Sequence, residues 1–112
     1  MDLRRAHLEM TLAGEADFPP PCLDYLFRLV YRLSARREGF RQVGGEELCR
    51  AFERAARADF GALAPEVLRA WGLGKGSDLG RAVALLARHR CLTVPEDETW
   101  EEYAVAGPLR VD

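Results

Sequence analysis

The sequence predicts a mainly α-helical domain with a small β element, an α+β class whose element order is compatible with a winged helix. Apolar residues recur at helical spacing in several segments after residue 20. Short apolar or alternating runs lie between and after these segments and are typical of strands. The 112 residues suit a single domain. We divide it into an N-terminal segment (1–19), a helical body (20–94) and an acidic C-terminal segment (95–112).

The N-terminal third predicts two helices separated by prolines. Residues 2–12 can form a short helix, and the proline run at 19–21 favours the first turn of a new one. We expect this second helix to extend from about residue 20 to residue 37, with an apolar stripe of Leu23, Leu26, Phe27, Val30 and Leu33. Its apolar surface is widened by Tyr25, Leu29 and Tyr31. Such a helix is either central to the core or part of an oligomer interface.

The middle of the chain predicts a short strand at 40–43 and then a helix over residues 45–59. The buried face of this helix is predicted to consist of Leu48, Phe52, Ala55 and Ala56. Glutamates stand four residues before arginines in two places, at Glu46 with Arg50 and at Glu53 with Arg57. We therefore expect two ion pairs on the outer face.

Two further helices are predicted around a glycine-rich turn. Pro65 suits the first turn of a short helix, whose buried face is predicted to be Leu63, Val67, Ala70 and Trp71. The glycines at 72, 74 and 76 predict a flexible turn, and Ser77 is the predicted N-cap of the helix that follows. That helix is expected to end near residue 90 and to bury Leu79, Ala82, Val83 and Leu86.

The C-terminal segment predicts a hairpin. Residues 91–94 are interpreted as a strand, 95–98 as an acidic turn and 100–106 as a returning strand. A strand, turn and strand after the last helix is the arrangement of a winged helix. An unrelated helical domain closed by a small sheet has the same element order.

Charge and cysteine content narrow the range of expected partners and cellular compartments. Residues 22–94 carry 13 basic and 8 acidic side chains, whereas residues 95–112 carry six acidic side chains and one arginine. A basic body with an acidic end fits internal complementarity, a guard against polyanions or a solvated tail. Cys22, Cys49 and Cys91 form no C-x-x-C pair, so the sequence predicts no metal site and a reducing cytoplasm. No signal peptide or membrane span is predicted.

Several short motifs resemble those of a family of small, uncharacterised bacterial proteins. They are Gly45-Glu46-Glu47-Leu48, Phe60-Gly61, Val67-Leu68-Arg69-Ala70-Trp71-Gly72, Asp78-Leu79-Gly80 and the acidic Glu96-Asp97-Glu98. The resemblance covers about residues 23–103 and implies no activity. The chain departs from the family pattern at Arg90-Cys91-Leu92, where the family has Gly-Leu-Leu, and at Leu85, where the family has a polar residue. The apolar Leu85 therefore suggests a changed contact surface.

Enzyme chemistry has little support in the sequence. Ser77 is explained as a helix cap, and His89 with Cys91 forms a lone His-x-Cys that predicts a buried thiol rather than a metal site. No cofactor motif is present. Only the turn at Asp78-Leu79-Gly80 and the pair Glu101-Glu102 keep an enzyme open as a third alternative.

The sequence supports a binding function better than an enzymatic one. Arg81 and Arg88 are predicted to lie on the outer face of the last helix, where they could approach phosphates, but the acidic hairpin argues against DNA. Trp100 and Tyr103 either anchor an interface or fold back onto the core. The sequence therefore favours a non-enzymatic module that binds protein, itself included. A winged-helix-like DNA-binding regulator is the alternative.

Overall fold

Five α-helices form the part of the chain that the computed structural model describes, which is residues 18–35, 44–89 and 101–112. They are α1 (Pro20–Ala35), α2 (Gly45–Phe60), α3 (Ala64–Trp71), α4 (Gly76–Arg88) and α5 (Glu101–Val105), and a 3-10 turn (Gly61–Leu63) joins α2 to α3. The mainly α prediction is confirmed. The predicted helix at 2–12 and the predicted strands at 40–43 and 91–94 lie outside the described residues.

Helix α1 begins at the proline run, as predicted. The backbone N–H of Cys22 donates to the carbonyl of Pro19 (3.0 Å), which closes the first turn. Leu23 and Leu26 are buried, as the stripe predicts, together with Cys22 and Leu29. The remaining stripe residues, Phe27, Val30 and Leu33, are only half-buried. One face of α1 thus enters the core, and an aromatic face is left outside it.

Helix α2 buries Leu48, Phe52 and Ala56, so its predicted core face is confirmed. The predicted ion pairs are wrong. Glu53 is only 4 % exposed, and its carboxylate pairs with Arg50 three residues earlier (3.0 Å). A buried carboxylate needs several partners, and those of Glu53 come partly from the C-terminal segment, which local spacing does not reveal.

Helix α3 has Pro65 in its first turn, as predicted, but its buried face is shifted by one position. Ala64 and Leu68 are buried, whereas the predicted Leu63 is 61 % exposed. Gly72 ends α3 at φ 77°, a left-handed conformation that glycine adopts without strain. The N–H of Leu73 donates back to the carbonyl of Leu68 (2.9 Å), and Leu73 itself enters the core. This cap holds the start of the glycine-rich turn in one conformation, whereas the sequence predicted a flexible turn.

Helix α4 begins one residue before the predicted cap. Lys75, not Ser77, is its N-cap. The carboxylate of Asp78 accepts hydrogen bonds from the N–H groups of Gly74 (3.0 Å) and Lys75 (3.1 Å), so the anion satisfies donors at the helix start. The predicted buried residues Leu79, Ala82, Val83 and Leu86 are all in the core.

The returning strand predicted at 100–106 is wrong, because Glu101–Val105 is a helix. The three-residue spacing of the buried Tyr103 and Ala106 is helical, and Glu101 and Glu102 favour a helix N-terminus. Among the described residues there is no sheet; a single antiparallel bridge joins Lys75 to Pro108. The small β element, and with it the wing, is therefore not seen in this part of the chain.

Helix α5 packs closely on α2 and α4 because three glycines, which have no side chain, leave the space that Tyr103 fills. A methyl group built on Gly45 or Gly80 would lie 2.9 Å from the Tyr103 ring, and one on Gly76 would meet the Tyr103 carbonyl oxygen. Tyr103 is 2 % exposed and is among the largest fully buried side chains. Residues from all five helices form one hydrophobic core. No helix in the described ranges combines the length and apolar content that crossing a bilayer requires.

Candidate interaction surfaces

An aromatic surface covers the outer side of α1. We use this name for Tyr25, Phe27 and Tyr31 with the flanking Arg28 and Arg32, which together with Asp59 line a groove of about 420 Å³. Tyr31 is 62 % exposed, and its ring lies 6.3 Å from that of Phe27, one helical turn away. Neighbouring aromatic side chains of which one is exposed are typical of contact surfaces.

Tyr25 fixes this surface to the body of the protein. Its ring lies between Phe52 (5.8 Å), Phe60 (5.3 Å) and Trp71 (5.5 Å), and its hydroxyl donates to the Asp59 carboxylate (2.7 Å). Burial, followed by this hydrogen bond, raises the pKa of Tyr25. The aromatic surface therefore has a rigid inner edge and an exposed outer edge.

The charges around the aromatic surface are balanced. Arg28 pairs with Asp24 across one turn of α1 (3.1 Å), and Arg32 lines the same groove as Asp59. Asp24, Phe27, Arg28 and Tyr31 follow the i, i+3, i+4, i+7 spacing of one helix face. Two arginines and two aspartates thus surround the exposed rings.

The predicted DNA-contacting arginines are both exposed on α4, seven residues apart and therefore on one face. Arg81 is engaged within the protein: its guanidinium contacts the Asp78 carboxylate (3.1 Å) and lies 5.4 Å from the centre of the Phe18 ring. Arg88 stands in the last turn of α4, where a cation complements the helix dipole. Both arginines have contacts inside the chain.

The remaining predicted contact residues do not face solvent where the structure describes them. Leu85 is 8 % exposed and belongs to the core, so it adds no apolar contact surface. Tyr103 folds back onto the core, which was the second of the two possibilities left open for it. Trp100 lies outside the described residues.

The residues on which the enzyme alternative rested also have structural explanations. Burial is the largest single effect on the pKa of Asp78 and raises it, but the hydrogen bonds from Gly74, Arg81 and Lys75 together lower the pKa below its usual value. The Asp78 carboxylate thus caps the N-terminus of α4. Glu101 and Glu102 are exposed in the first turn of α5. No three His, Cys, Asp or Glu side chains of the described residues are grouped as metal ligands would be.

The two cysteines in the described ranges are buried, free thiols in the core. Burial raises the pKa of Cys22 to about 12 and that of Cys49 to about 11. The thiolate, which is the reactive form, is therefore disfavoured at both positions. His89 is half-buried, and its predicted neighbour Cys91 lies outside the described residues.

A second surface, not predicted from the sequence, surrounds the C-terminal segment. Glu53 accepts a hydrogen bond from the backbone N–H of Arg110 (2.6 Å), and Arg57 donates to the Arg110 carbonyl (2.7 Å). Arg50 reaches the Ala106 carbonyl at 3.4 Å. These bonds join residues more than 50 positions apart. Local spacing placed Glu53 on the outer face of α2, so it carried no signal of this contact.

Comparison of the chain with protein-family models, with curated proteins and with solved structures finds no match in any of the three. The family resemblance drawn from the short motifs therefore stays an expectation.

Proposed function

We propose that this chain is a non-enzymatic protein-interaction module that pairs with a second copy of itself through the aromatic surface of α1. The observation that carries the proposal is the exposed Tyr31 beside Phe27, on a helix whose opposite face is buried in the core. Aromatic side chains give large contact areas at low entropic cost and are enriched at the centres of interfaces.

A second copy is the partner because the surface is self-complementary in charge. Asp24, Arg28, Arg32 and Asp59 sum to zero, so two such surfaces meet without net repulsion. In a twofold pair each copy offers the same patch, and an aspartate of one copy can face an arginine of the other. A strongly acidic or basic partner would leave half of these charges unmatched.

Sedimentation velocity over a range of protein concentrations tests this proposal. We expect wild type to pass from monomer to dimer below about 1 mM, and the Phe27→Ala, Tyr31→Ala double variant to stay monomeric over the same range. Matched controls are Leu63→Ala and Val105→Ala, because both remove exposed apolar side chains (61 % and 71 % exposed) elsewhere. A monomeric wild type, or equal dimerisation in all variants, would refute the proposal.

DNA binding through Arg81 and Arg88 is the second candidate, supported by the exposure of both residues on one face of α4. It ranks lower because Arg81 already pairs with Asp78. Anisotropy with a random duplex at low and moderate salt tests it. Salt-sensitive binding that is lost in Arg81→Ala, Arg88→Ala would reverse the ranking.

A further inference from the structure

The charges on the outer face of α1 change sign along the helix. Asp24 stands at the N-terminal end of this face, and Arg28 and Arg32 follow about one and two turns later. Asp24 is half-buried, and both arginines are exposed. The neighbouring rings of Phe27 and Tyr31 lie within this row of charges. The face is therefore acidic at one end, aromatic in the middle and basic at the other end.

Arg32 is the charge on this face that the described part of the chain leaves unmatched. Arg28 forms an ion pair with Oδ2 of Asp24 (3.1 Å), so Oδ1 of Asp24 can accept a second guanidinium N–H. No carboxylate of the described residues forms an ion pair with Arg32, although Asp59 lines the same groove. An exposed guanidinium at the edge of an aromatic surface complements a carboxylate of a bound partner.

A parallel twofold pair of α1 helices would bring like charges together. In that arrangement each residue lies close to the same residue of the other copy, so Arg28 would approach the partner's Arg28 and Arg32 the partner's Arg32. The dipoles of the two helices would also point in the same direction. Because like charges placed against each other are costly at an interface, the charge order of α1 disfavours a parallel pair.

An antiparallel pair brings opposite charges together. If the twofold axis passes between Phe27 and Tyr31, each Phe27 faces the partner's Tyr31. At about 1.5 Å per residue, Asp24 then lies about 7.5 Å from the axis along the helix, and the partner's Arg32 lies about 4.5 Å from it on the same side. The long stem of an arginine side chain spans the remaining offset of about 3 Å. Both Asp24 carboxylates thus meet a guanidinium, while the aromatic rings pack in the centre.

We propose that two copies of the chain pair with their α1 helices antiparallel, and that Asp24 of each copy binds the guanidinium of the partner's Arg32. This inference rests on the pairing through the aromatic surface proposed above and adds its direction. The rings of Phe27 and Tyr31 supply most of the contact area. The two ion pairs at the ends select the orientation, which is what charges contribute most at an interface.

The salt dependence of dimerisation gives the first test. Salt screens ion pairs between the copies, so the dimer dissociation constant of the wild type, measured by sedimentation velocity, should rise by about twofold or more between about 0.05 M and about 0.5 M sodium chloride. In a parallel pair the repulsion between like charges would be screened instead, and the dissociation constant would fall. A dissociation constant that falls or does not change would overturn the antiparallel arrangement.

Charge reversal gives the second test, by the same measurement at low salt. Asp24→Arg and Arg32→Asp should each raise the dissociation constant by about fivefold or more, because symmetry places like charges at both ends of the pair. The Asp24→Arg, Arg32→Asp double variant re-forms both pairs with exchanged charges and should return to within about twofold of wild type. Matched controls are Glu66→Arg and Arg69→Asp, because both residues are exposed on α3 outside the aromatic surface.

The outcomes separate the direction of pairing from the pairing itself. A wild type that dimerises through Phe27 and Tyr31, with single charge variants that behave like the α3 controls, would overturn the antiparallel arrangement and leave the proposed pairing standing. Single variants that weaken the dimer without recovery in the double variant would also overturn it, because Asp24 and Arg32 would then not face each other. A wild type that stays monomeric would overturn both.

Discussion

Replacing Gly80 with alanine tests the close approach of α5 to α4. In an exposed helix interior this substitution stabilises by about 1 kcal/mol, because alanine is the better helix former. Here the new methyl group would lie 2.9 Å from Cγ of Tyr103 and 3.0 Å from its Cβ. Forcing an extra carbon into a packed site costs about 1–3 kcal/mol. With about 2 kcal/mol for the clash, we expect a net loss of about 1 kcal/mol.

Urea unfolding followed by circular dichroism measures this difference, and a double-mutant cycle assigns it to Tyr103. In a Tyr103→Ala background α5 can settle away from α4, so Gly80→Ala should become stabilising by about 1 kcal/mol. Gly76→Ala should cost more than Gly80→Ala, because its methyl group meets a backbone carbonyl that cannot rotate away. A Gly80→Ala protein more stable than wild type would refute the close packing of Tyr103 on this helix.

Three further predictions concern buried polar groups and thiols. Glu53→Gln should weaken the hold on the C-terminal segment and lower the unfolding free energy by about 1–3 kcal/mol, with faster amide exchange at Arg110; unchanged exchange would contradict this. The lowered pKa of Asp78 means that its ionised form stabilises the fold at neutral pH, and that this stabilisation is lost as the pH falls below about 4. Asp78→Asn should therefore be less stable than wild type at neutral pH, with the two converging in acid; parallel curves would contradict this. Cys22 and Cys49 should resist alkylation until the chain is unfolded, as mass mapping of the labelled sites would show, because burial holds both thiols protonated. Labelling of either in the folded protein would be inconsistent with the core described above.

The helices could be predicted wherever one long segment carries one clear apolar stripe. The buried faces of α2 and α4 follow directly from residues such as Phe52 and Leu86, because four or five apolar residues at helical spacing have only one way to enter a core. Helix α3 is shorter. With eight residues, its register depends on the turn before it, and the prediction was displaced from Leu68 to its neighbours.

The C-terminal part could not be predicted, since its structure depends on distant partners. Five residues of α5 are too few for a helical period to stand out from a strand-like alternation. The glycines Gly45, Gly76 and Gly80 are explained only by Tyr103, which lies more than 20 positions away from each of them. Local patterns assign such glycines to caps and turns, and they contain no information on a close contact between helices.

The candidate sites also differ in how far the sequence could predict them. The wide apolar surface of α1, including Tyr31, predicted either a central core helix or an interface from its helical spacing; Tyr31 is exposed, and pairing through this surface stays a proposal. Leu85 and Tyr103 were singled out as contact residues, but apolar character does not tell a core residue from an exposed one near the end of a helix. The attachment of the C-terminal segment to α2 through Glu53 is a tertiary contact and could not be expected from local spacing.

Helix α3 supports the aromatic surface from the inside of the protein. The Trp71 ring lies 5.5 Å from that of Tyr25, and Leu68 on the same helix is buried in the core. A shift of α3 on dimerisation would require two arrangements of this helix. The left-handed cap at Gly72 and the buried Leu68 hold it in one arrangement. We therefore expect two copies to pair through the aromatic surface without a rearrangement of α3.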